Sequence, residues 1–133
     1  MAILVDSNII LDLWTFDPKW EDWSREAINK YGATDSLVVN QVICAETSPG
    51  STSATPFFSA LQAVPMILRS IPFEAAIPAA QAYSKYRKRG GTKTSVLPDF
   101  LIGAHAEVEG LKILTRDTAR FRTYFPKVSL ISP

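Results

Sequence analysis

Short, uninterrupted apolar runs, separated by segments with helical periodicity, constrain this chain more than any other feature. The first run, residues 2–5 (Ala-Ile-Leu-Val), is followed directly by Asp6. Runs of this kind are typical of strands that are buried on both faces of a parallel sheet. The sequence predicts further strands at 37–39, 67–71, 112–115 and 128–131. Helical spacing predicts helices between them, at 9–14, 19–31, 41–46, 57–64, 73–89, 98–110 and 119–124, with polar loops at 49–55 and 90–95.

This alternation predicts an α/β fold, a sandwich with a mainly parallel sheet flanked by helices. A length of 133 residues, of which 47% are hydrophobic, suits a single domain at 1–133 with one core. The net charge of +1 does not by itself indicate a polyanionic partner. With Cys44 as the one cysteine, no internal disulfide can form, which fits a reducing compartment. We see no signal peptide or membrane span and expect a cytoplasmic protein.

Four acidic residues are the candidates for a functional site. Asp6 and Asp117 follow predicted strands, whereas Glu46 and Asp99 lie on predicted helices that can face the same edge of the sheet. Sites in parallel α/β sheets form at the carboxyl ends of the strands. Carboxylates are ligands for Mg²⁺, and a cluster of acids repels itself unless a cation is bound. The pattern therefore predicts a Mg²⁺ site.

Each acid also has an ordinary structural explanation. Asp6 and Asp99 can be helix N-caps. Glu46 can be an exposed helix residue, and Asp117 can cap a loop. These alternatives stay open from the sequence alone.

Three other polar residues lie beside these acids in the sequence. Asn8 can orient Asp6 or a metal-bound water, and Thr115 can hydrogen-bond Asp117 or a water. His105, the one histidine, lies among small apolar residues. We expect it to be packed or partly exposed and not to be a metal ligand.

A cluster of basic residues precedes Asp99. Its members are candidates for contacts with the backbone phosphates of a polyanionic substrate, together with Arg116 near Asp117. The cluster consists of Lys85, Arg87, Lys88, Arg89 and Lys93. A solvated helix end is the alternative, because cations are also favourable at the negative end of the helix dipole.

Four segments, taken in order, resemble the PIN-domain family and in particular the VapC-type toxins. They are residues 3–8 (ILVDSN), 40–46 (NQVICAE), 98–106 (PDFLIGAHA) and 114–117 (LTRD) followed by Phe121. The similarity in pattern extends from residue 2 to about residue 131. Each segment is weak alone, but their order at this chain length is fairly specific.

The resemblance implies a PIN-like three-layer sandwich with a five-stranded parallel sheet. It also implies a Mg²⁺-dependent endoribonuclease, the toxin of a type II toxin–antitoxin pair, which forms a homodimer and binds a cognate antitoxin. By matching position, the four acids are the family's catalytic and metal-binding residues, with Asn8 and Thr115 in supporting positions. Asp6, Asp99 and Glu46 would hold the ion directly or through water. Asp117 would hold a second ion or position the waters of the first ion. A metal-activated water would then hydrolyse the RNA phosphodiester bond.

Three other functions are compatible with parts of the pattern. A PIN-like scaffold could bind RNA or protein without cleaving it. A receiver-type phosphoacceptor domain would need an aspartate after a middle strand, where this chain has Asn40 and Pro72. A phosphatase with an aspartate nucleophile usually has a second acid two residues on, but position 8 is asparagine.

Overall fold

The computed structural model describes residues 1–48 and 54–133, with side chains for all of these except residues 54–57. The strands are β1 (Ala2–Val5), β2 (Ser36–Val39), β3 (Met66–Leu68), β4 (Lys112–Leu114) and β5 (Leu130–Ile131). The helices are α1 (Ser7–Trp14), α2 (Glu21–Gly32), α3 (Gln41–Thr47), α4 (Ala54–Ala63), α5 (Ala76–Lys88), α6 (Leu97–Glu109) and α7 (Ala119–Tyr124). A 3-10 turn, Phe73–Ala75, precedes α5.

The five strands form one sheet in the order β3-β2-β1-β4-β5, and every neighbouring pair is parallel. The chain adds β2 and β3 on one side of β1, and then β4 and β5 on the other side. The direction of strand addition therefore reverses between β1 and β4, which makes their carboxyl ends the topological switch point of the sheet. This order also differs from the 2-1-3-4-5 order of receiver-like sheets, so the receiver alternative is wrong.

The helices form the two outer layers of the predicted sandwich. Helix α1 contacts α2 and α3, whereas α6 contacts α5 and α7. Right-handed crossovers place these two groups on opposite faces of the sheet, because strands are added in opposite directions on its two sides. The α/β three-layer fold predicted from the sequence is confirmed.

The core forms where the apolar strands meet these helices. The apolar residues of β1, β2 and β4 are almost fully buried, as predicted for strands covered on both faces. Phe100, Phe121 and Phe125 are the largest fully buried side chains among the described residues. Gly103 lets α6 approach the end of α7, because a Cβ atom at this position would lie 2.3 Å from the Phe125 ring.

The predicted boundaries differ from the observed ones at several places, among them β5, which is confined to Leu130–Ile131. Helix α2 begins at Glu21 and not at position 19, because the Asp17 carboxylate accepts hydrogen bonds from the backbone N–H groups of Lys19 and Trp20. Strand β3 ends at Leu68, whereas the sequence predicted a strand at 67–71. The predicted loop at 49–55 lies mainly outside the described residues, and its last two residues belong to α4.

The predicted helix at 73–89 begins instead as a 3-10 turn and continues as α5. Pro78 lies in the first turn of α5, where a missing N–H group is tolerated. Gly110 ends α6 with a left-handed φ of 68°, as expected for a C-terminal glycine. No helix in the described parts of the chain is long and apolar enough to cross a membrane.

Candidate metal centre

Asp6 lies directly after β1, where it serves as the N-cap of α1 and also faces the end of β4. Its Oδ1 accepts a 2.8 Å hydrogen bond from the Ser7 backbone N–H. Its Oδ2 accepts hydrogen bonds from the Thr115 hydroxyl at 2.8 Å and from the Asn8 amide at 3.2 Å. The residue is only 4% exposed. The N-cap explanation is therefore correct, and it coexists with a buried, fully oriented carboxylate at the sheet edge.

Burial raises the pKa of Asp6 from 3.8 to about 6. The hydrogen bonds from Thr115 and Ser7 lower this pKa, whereas the negative charges of Asp99 and Asp117 raise it further. Asp6 is therefore close enough to both acids to sense their charges. Its carboxylate becomes easier to ionise when a cation offsets this cost.

Asn8 and Thr115 fix the loop after β4 to the start of α1. The Asn8 amide donates to Thr115 Oγ1 at 3.3 Å, and Asn8 Oδ1 accepts from the Arg116 backbone N–H at 3.3 Å. Thr115 Oγ1 also accepts from the Asp117 backbone N–H at 3.0 Å. The supporting residues predicted from the sequence thus hold Asp6 and the backbone of Asp117, and the prediction that Thr115 hydrogen-bonds Asp117 is confirmed through the backbone of Asp117.

Asp12 and Arg116 form a largely buried ion pair that sequence reasoning missed. Arg116 Nε and Nη2 donate to the two Asp12 carboxylate oxygens at 2.7 and 2.9 Å. Ser24 donates to the same carboxylate at 2.7 Å, and the Trp20 ring lies 5.0 Å from the guanidinium. Asp12 is 2% exposed. The pair anchors the loop that carries Asp117. The sequence feature that could have predicted a buried partner for Asp12 is its position within the apolar helix sequence Ile-Ile-Leu-Asp-Leu.

Glu46, on α3, faces Asp6 from the neighbouring strand–helix unit. Burial raises its pKa, the Ser7 hydroxyl lowers it, and the charges of Asp6 and Asp99 raise it. Its Oε1 is buried and has no hydrogen-bond partner among the residues that the structure describes. The alternative of an exposed helix glutamate is therefore wrong, because this carboxylate points into the acidic cluster.

Asp99 lies in the first turn of α6 and Asp117 lies at the rim of the site. Helix α6 begins at Leu97 with Val96 as its N-cap, so the N-cap explanation of Asp99 is wrong. Asp99 instead forms a hydrogen-bonded ion pair with Arg120 on α7. Asp117 is exposed, and its charge is felt at Asp6. The structure thus brings Asp6, Glu46 and Asp99 together, with Asp117 near enough for its charge to act on Asp6, and we call these four acids the acidic pocket.

A family model, described as the PIN domain, matches residues 3–126 of this chain. The chain belongs to the PIN domain family. The family resemblance inferred from the sequence is confirmed. Comparison with curated proteins finds no significant match.

Several solved structures share this PIN fold. A chain of VapBC2 from Rickettsia felis, bound to a promoter DNA fragment, aligns with TM-score 0.76 and 17% identity over 100% of this chain and 99% of that chain. VapBC-1 from nontypeable Haemophilus influenzae gives TM-score 0.71 and 17% identity over 99% and 98%. A toxin–antitoxin complex from Klebsiella pneumoniae gives 0.70 and 20% over 98% and 97%. At these identities the likeness establishes the fold.

The acidic pocket of this PIN domain fits a hydrated divalent cation. Its donors are carboxylates, which Mg²⁺ prefers, and the buried Glu46 Oε1 is an oxygen for which the described protein offers no donor. Among residues 1–48 and 54–133, no three acidic, histidine or cysteine side chains are arranged as ready direct ligands. Mg²⁺ usually keeps several waters and takes only one or two carboxylates directly, so it does not require three direct protein ligands.

The basic cluster lies on the end of α5, next to the acidic pocket. Four of its residues, Lys85, Arg87, Lys88 and Arg89, are exposed there. The guanidinium groups of Arg87 and Arg89 stack 5.0 and 5.5 Å from the rings of Tyr83 and Tyr124. The backbone N–H of Lys93 donates to the Tyr86 hydroxyl. These rings pack against Phe100, the residue after Asp99, so the basic cluster is tied to the first turn of α6.

Asn40 and His105 support the α3 side of the pocket. Asn40 Oδ1 accepts from the Ile43 backbone N–H, so its amide nitrogen must donate to His105 Nδ1 at 3.0 Å. The proton of the neutral imidazole is therefore on Nε2, which lies 3.3 Å from Glu109. Burial lowers the pKa of His105, as expected for a neutral packed ring. The prediction that His105 is packed is confirmed, and its link to the N-cap of the helix that carries Glu46 was missed.

Proposed function

We propose that this PIN domain is a Mg²⁺-dependent endoribonuclease, the toxin of a type II toxin–antitoxin pair. The observation that carries the proposal is the acidic pocket. Four carboxylates lie at the switch point of the sheet, burial and neighbouring negative charges raise the pKa of both Asp6 and Glu46, and Glu46 has a buried oxygen without a partner among the described residues. Such a group is unfavourable unless a cation is bound, and PIN domains are generally nucleases.

Asp6, Asp99 and Glu46 are the residues that would hold Mg²⁺ or Mn²⁺, directly or through water. The ion would supply charge neutralisation at the phosphate and a hydroxide-like water at neutral pH. Thr115 and Asn8 keep the Asp6 carboxylate in one orientation through their hydrogen bonds. Asp117, exposed at the rim, can accept a proton from an attacking water or position a second cation.

The basic cluster is proposed to hold RNA phosphates on either side of the cleaved bond. Arg87 and Arg89 are partly ordered by their stacking on Tyr83 and Tyr124, which lowers the entropy lost when a phosphate binds. Arg116 was also predicted to bind RNA. Its guanidinium is held by Asp12 and Trp20, so its structural contacts are already extensive, and RNA binding by Arg116 stays a prediction.

A homodimer and a cognate antitoxin are the proposed protein partners. The solved structures that share the fold include toxin–antitoxin complexes. On this chain, Phe73 is 97% exposed and Ile77, one turn further on, is 63% exposed. Large apolar side chains this exposed commonly mark protein contacts. A cytoplasmic location belongs to the same proposal.

The test is cleavage of a mixed pool of labelled RNAs by the purified protein. Cleavage in millimolar Mg²⁺ should disappear in EDTA and return when Mn²⁺ is added. Asp6→Asn should lower the rate by roughly 10²-fold or more, because it removes a buried ligand charge. Asp22→Asn, an exposed acid on α2, is the matched control and should cleave normally. Cleavage that persists in EDTA or in Asp6→Asn would reject the metal-nuclease mechanism.

A binding scaffold without turnover is the alternative that keeps the same fold and the same acids. It predicts that the wild type binds Mn²⁺ and RNA but leaves every RNA intact, even after the protein is freed from any antitoxin. Isothermal titration with Mn²⁺, run beside the cleavage assay, therefore separates the two functions.

A further inference from the structure

Asp99 is held by a cation that belongs to the protein itself. Arg120 Nη1, on α7, donates to Asp99 Oδ2 in an ion pair whose side chains are 30% and 26% exposed. In the part of the chain that the structure describes, this is the one ion pair that includes any of the four acids of the pocket. The carboxylate proposed to bind metal is therefore already partly neutralised.

The negative charge of Asp99 acts on two other acids of the pocket, Asp6 and Glu46. It raises the pKa of both Asp6 and Glu46. Arg120 therefore offsets the one carboxylate that is coupled to both of the buried acids. Removing the guanidinium would leave Asp6, Glu46 and Asp99 without an ion-pair partner among the described residues. Mutual repulsion of these carboxylates would then favour a divalent ion most strongly.

We propose that Arg120 is a built-in counter-cation of the acidic pocket, and that a divalent cation must compete with it for the Asp99 carboxylate. This inference rests on the proposed metal site and specifies how its occupancy is controlled. A guanidinium paired with a carboxylate and a divalent cation bound by the same carboxylate both draw on its single negative charge, and at Oδ2 they also compete for the oxygen that Arg120 contacts. Metal affinity is consequently set below the value that the acids alone would give.

Arg122 provides a matched control on the same helix. It is exposed, carries the same charge, and lies two residues from Arg120, so it faces a different side of α7. Any effect of total charge on metal binding should be shared by both arginines. An effect of the contact with Asp99 should be confined to Arg120.

The experiment is Mn²⁺ titration of the full chain, stripped of metal with EDTA and followed by calorimetry. Arg120→Gln retains the aliphatic stem and removes the charge, and Arg122→Gln makes the same change at the control position. We expect Arg120→Gln to bind Mn²⁺ about threefold to tenfold more tightly than the wild type. Arg122→Gln should remain within about twofold of the wild type. Thermal melts of each variant establish that it is folded.

The outcomes separate this inference from the proposed function. Equal tightening by both variants, or unchanged or weaker binding by Arg120→Gln, would overturn the competition. If the wild type binds Mn²⁺ but Asp6→Asn binds equally well, the metal site itself is wrong and the competition fails with it. If Arg120→Gln does not fold, Arg120→Lys decides, because a less well matched cation must bind Asp99 less well and give a lower Mn²⁺ dissociation constant than the wild type.

Discussion

The acidic pocket has two halves that are built in different ways. Around Asp6, hydrogen bonds from Ser7, Asn8 and Thr115 hold one carboxylate. The Asp12–Arg116 ion pair anchors the loop after β4. Around Glu46 and Asp99, one carboxylate oxygen is buried without a partner among the described residues and the other acid is held by a single arginine. The half around Asp6 is therefore organised before any ligand binds. In the other half, the proposed binding of a metal ion would give Glu46 a partner and would displace Arg120 from Asp99.

The largest expected effect comes from breaking the anchor of the organised half. Arg116→Ala leaves the Asp12 carboxylate buried and unpaired, so the free energy of unfolding should fall by about 3 to 5 kcal/mol. Urea denaturation measures this change, with Arg122→Ala as a control that should stay within about 0.5 kcal/mol of the wild type. A loss below about 1 kcal/mol would show that the Asp12–Arg116 pair does not anchor the loop.

The buried charge of Asp6 predicts a pH dependence of stability. Its folded-state pKa, about 6, is above the ordinary value of 3.8, so between these pH values the folded protein keeps a proton that the unfolded chain has lost. The free energy of unfolding should therefore fall as pH rises from about 4 to 6, by about 3 kcal/mol, and then level off. Below this window both states are protonated and the group has no effect.

Denaturation in EDTA at a series of pH values tests this dependence. Asp6→Asn cannot titrate at this position and should show a flatter curve over the same window. Saturating Mn²⁺ at neutral pH should restore the stability lost by the wild type, because it binds the charged form. Identical pH curves for the wild type and Asp6→Asn would contradict the assigned pKa.

A smaller effect is expected at the N-cap of α3. Asn40→Ala removes the cap of the helix that carries Glu46 and leaves His105 Nδ1 without its donor, at a cost of about 1 to 2 kcal/mol. Mn²⁺ affinity should fall while the pH dependence that arises from Asp6 is preserved. Calorimetry and denaturation together would show whether the two halves respond separately. A changed pH curve would mean that the halves are not independent.

The smallest effect should come from outside both halves, at the basic cluster. Replacing Arg87 and Arg89 with Gln should weaken RNA binding and lower the slope of log K against log salt by about 1.4, for two lost phosphate contacts. Mn²⁺ affinity should not change. Filter binding of catalytically inactive Asp6→Asn, with and without the two substitutions, measures the slope. An unchanged slope would assign these arginines to the solvated helix end.

Much of the fold could be predicted because it follows from local pattern. The apolar run before Asp6 and the glycine at position 110 each specify their structure within a few residues. The boundary errors arose where side chains of neighbouring residues competed with the helix, as Asp17 does before α2. The strand order does not follow from such local patterns, since it depends on how distant segments pair.

The acids of the site were found from their positions after strands and from the family resemblance, but their partners were not. Asp12 and Arg116 are separated by 104 positions, and nothing local links an acid on α1 to a loop after β4. The sequence does not distinguish Arg120 from Arg122, because both are arginines two residues apart on the same helix. Only the side of α7 on which each residue lies determines that Arg120 contacts Asp99. The N-cap explanation of Asp99 failed because α6 begins two residues before it.

The position of Thr115 in the chain bears on when the protein becomes active. Its hydroxyl meets a carboxylate that is 109 residues earlier in the sequence. A polypeptide that is still emerging from the ribosome contains Asp6 but lacks Thr115, Asp117 and Arg120 until synthesis has passed residue 120. Under the proposed function, nuclease activity would be withheld until the segment around Thr115 has left the ribosome and folded against α1.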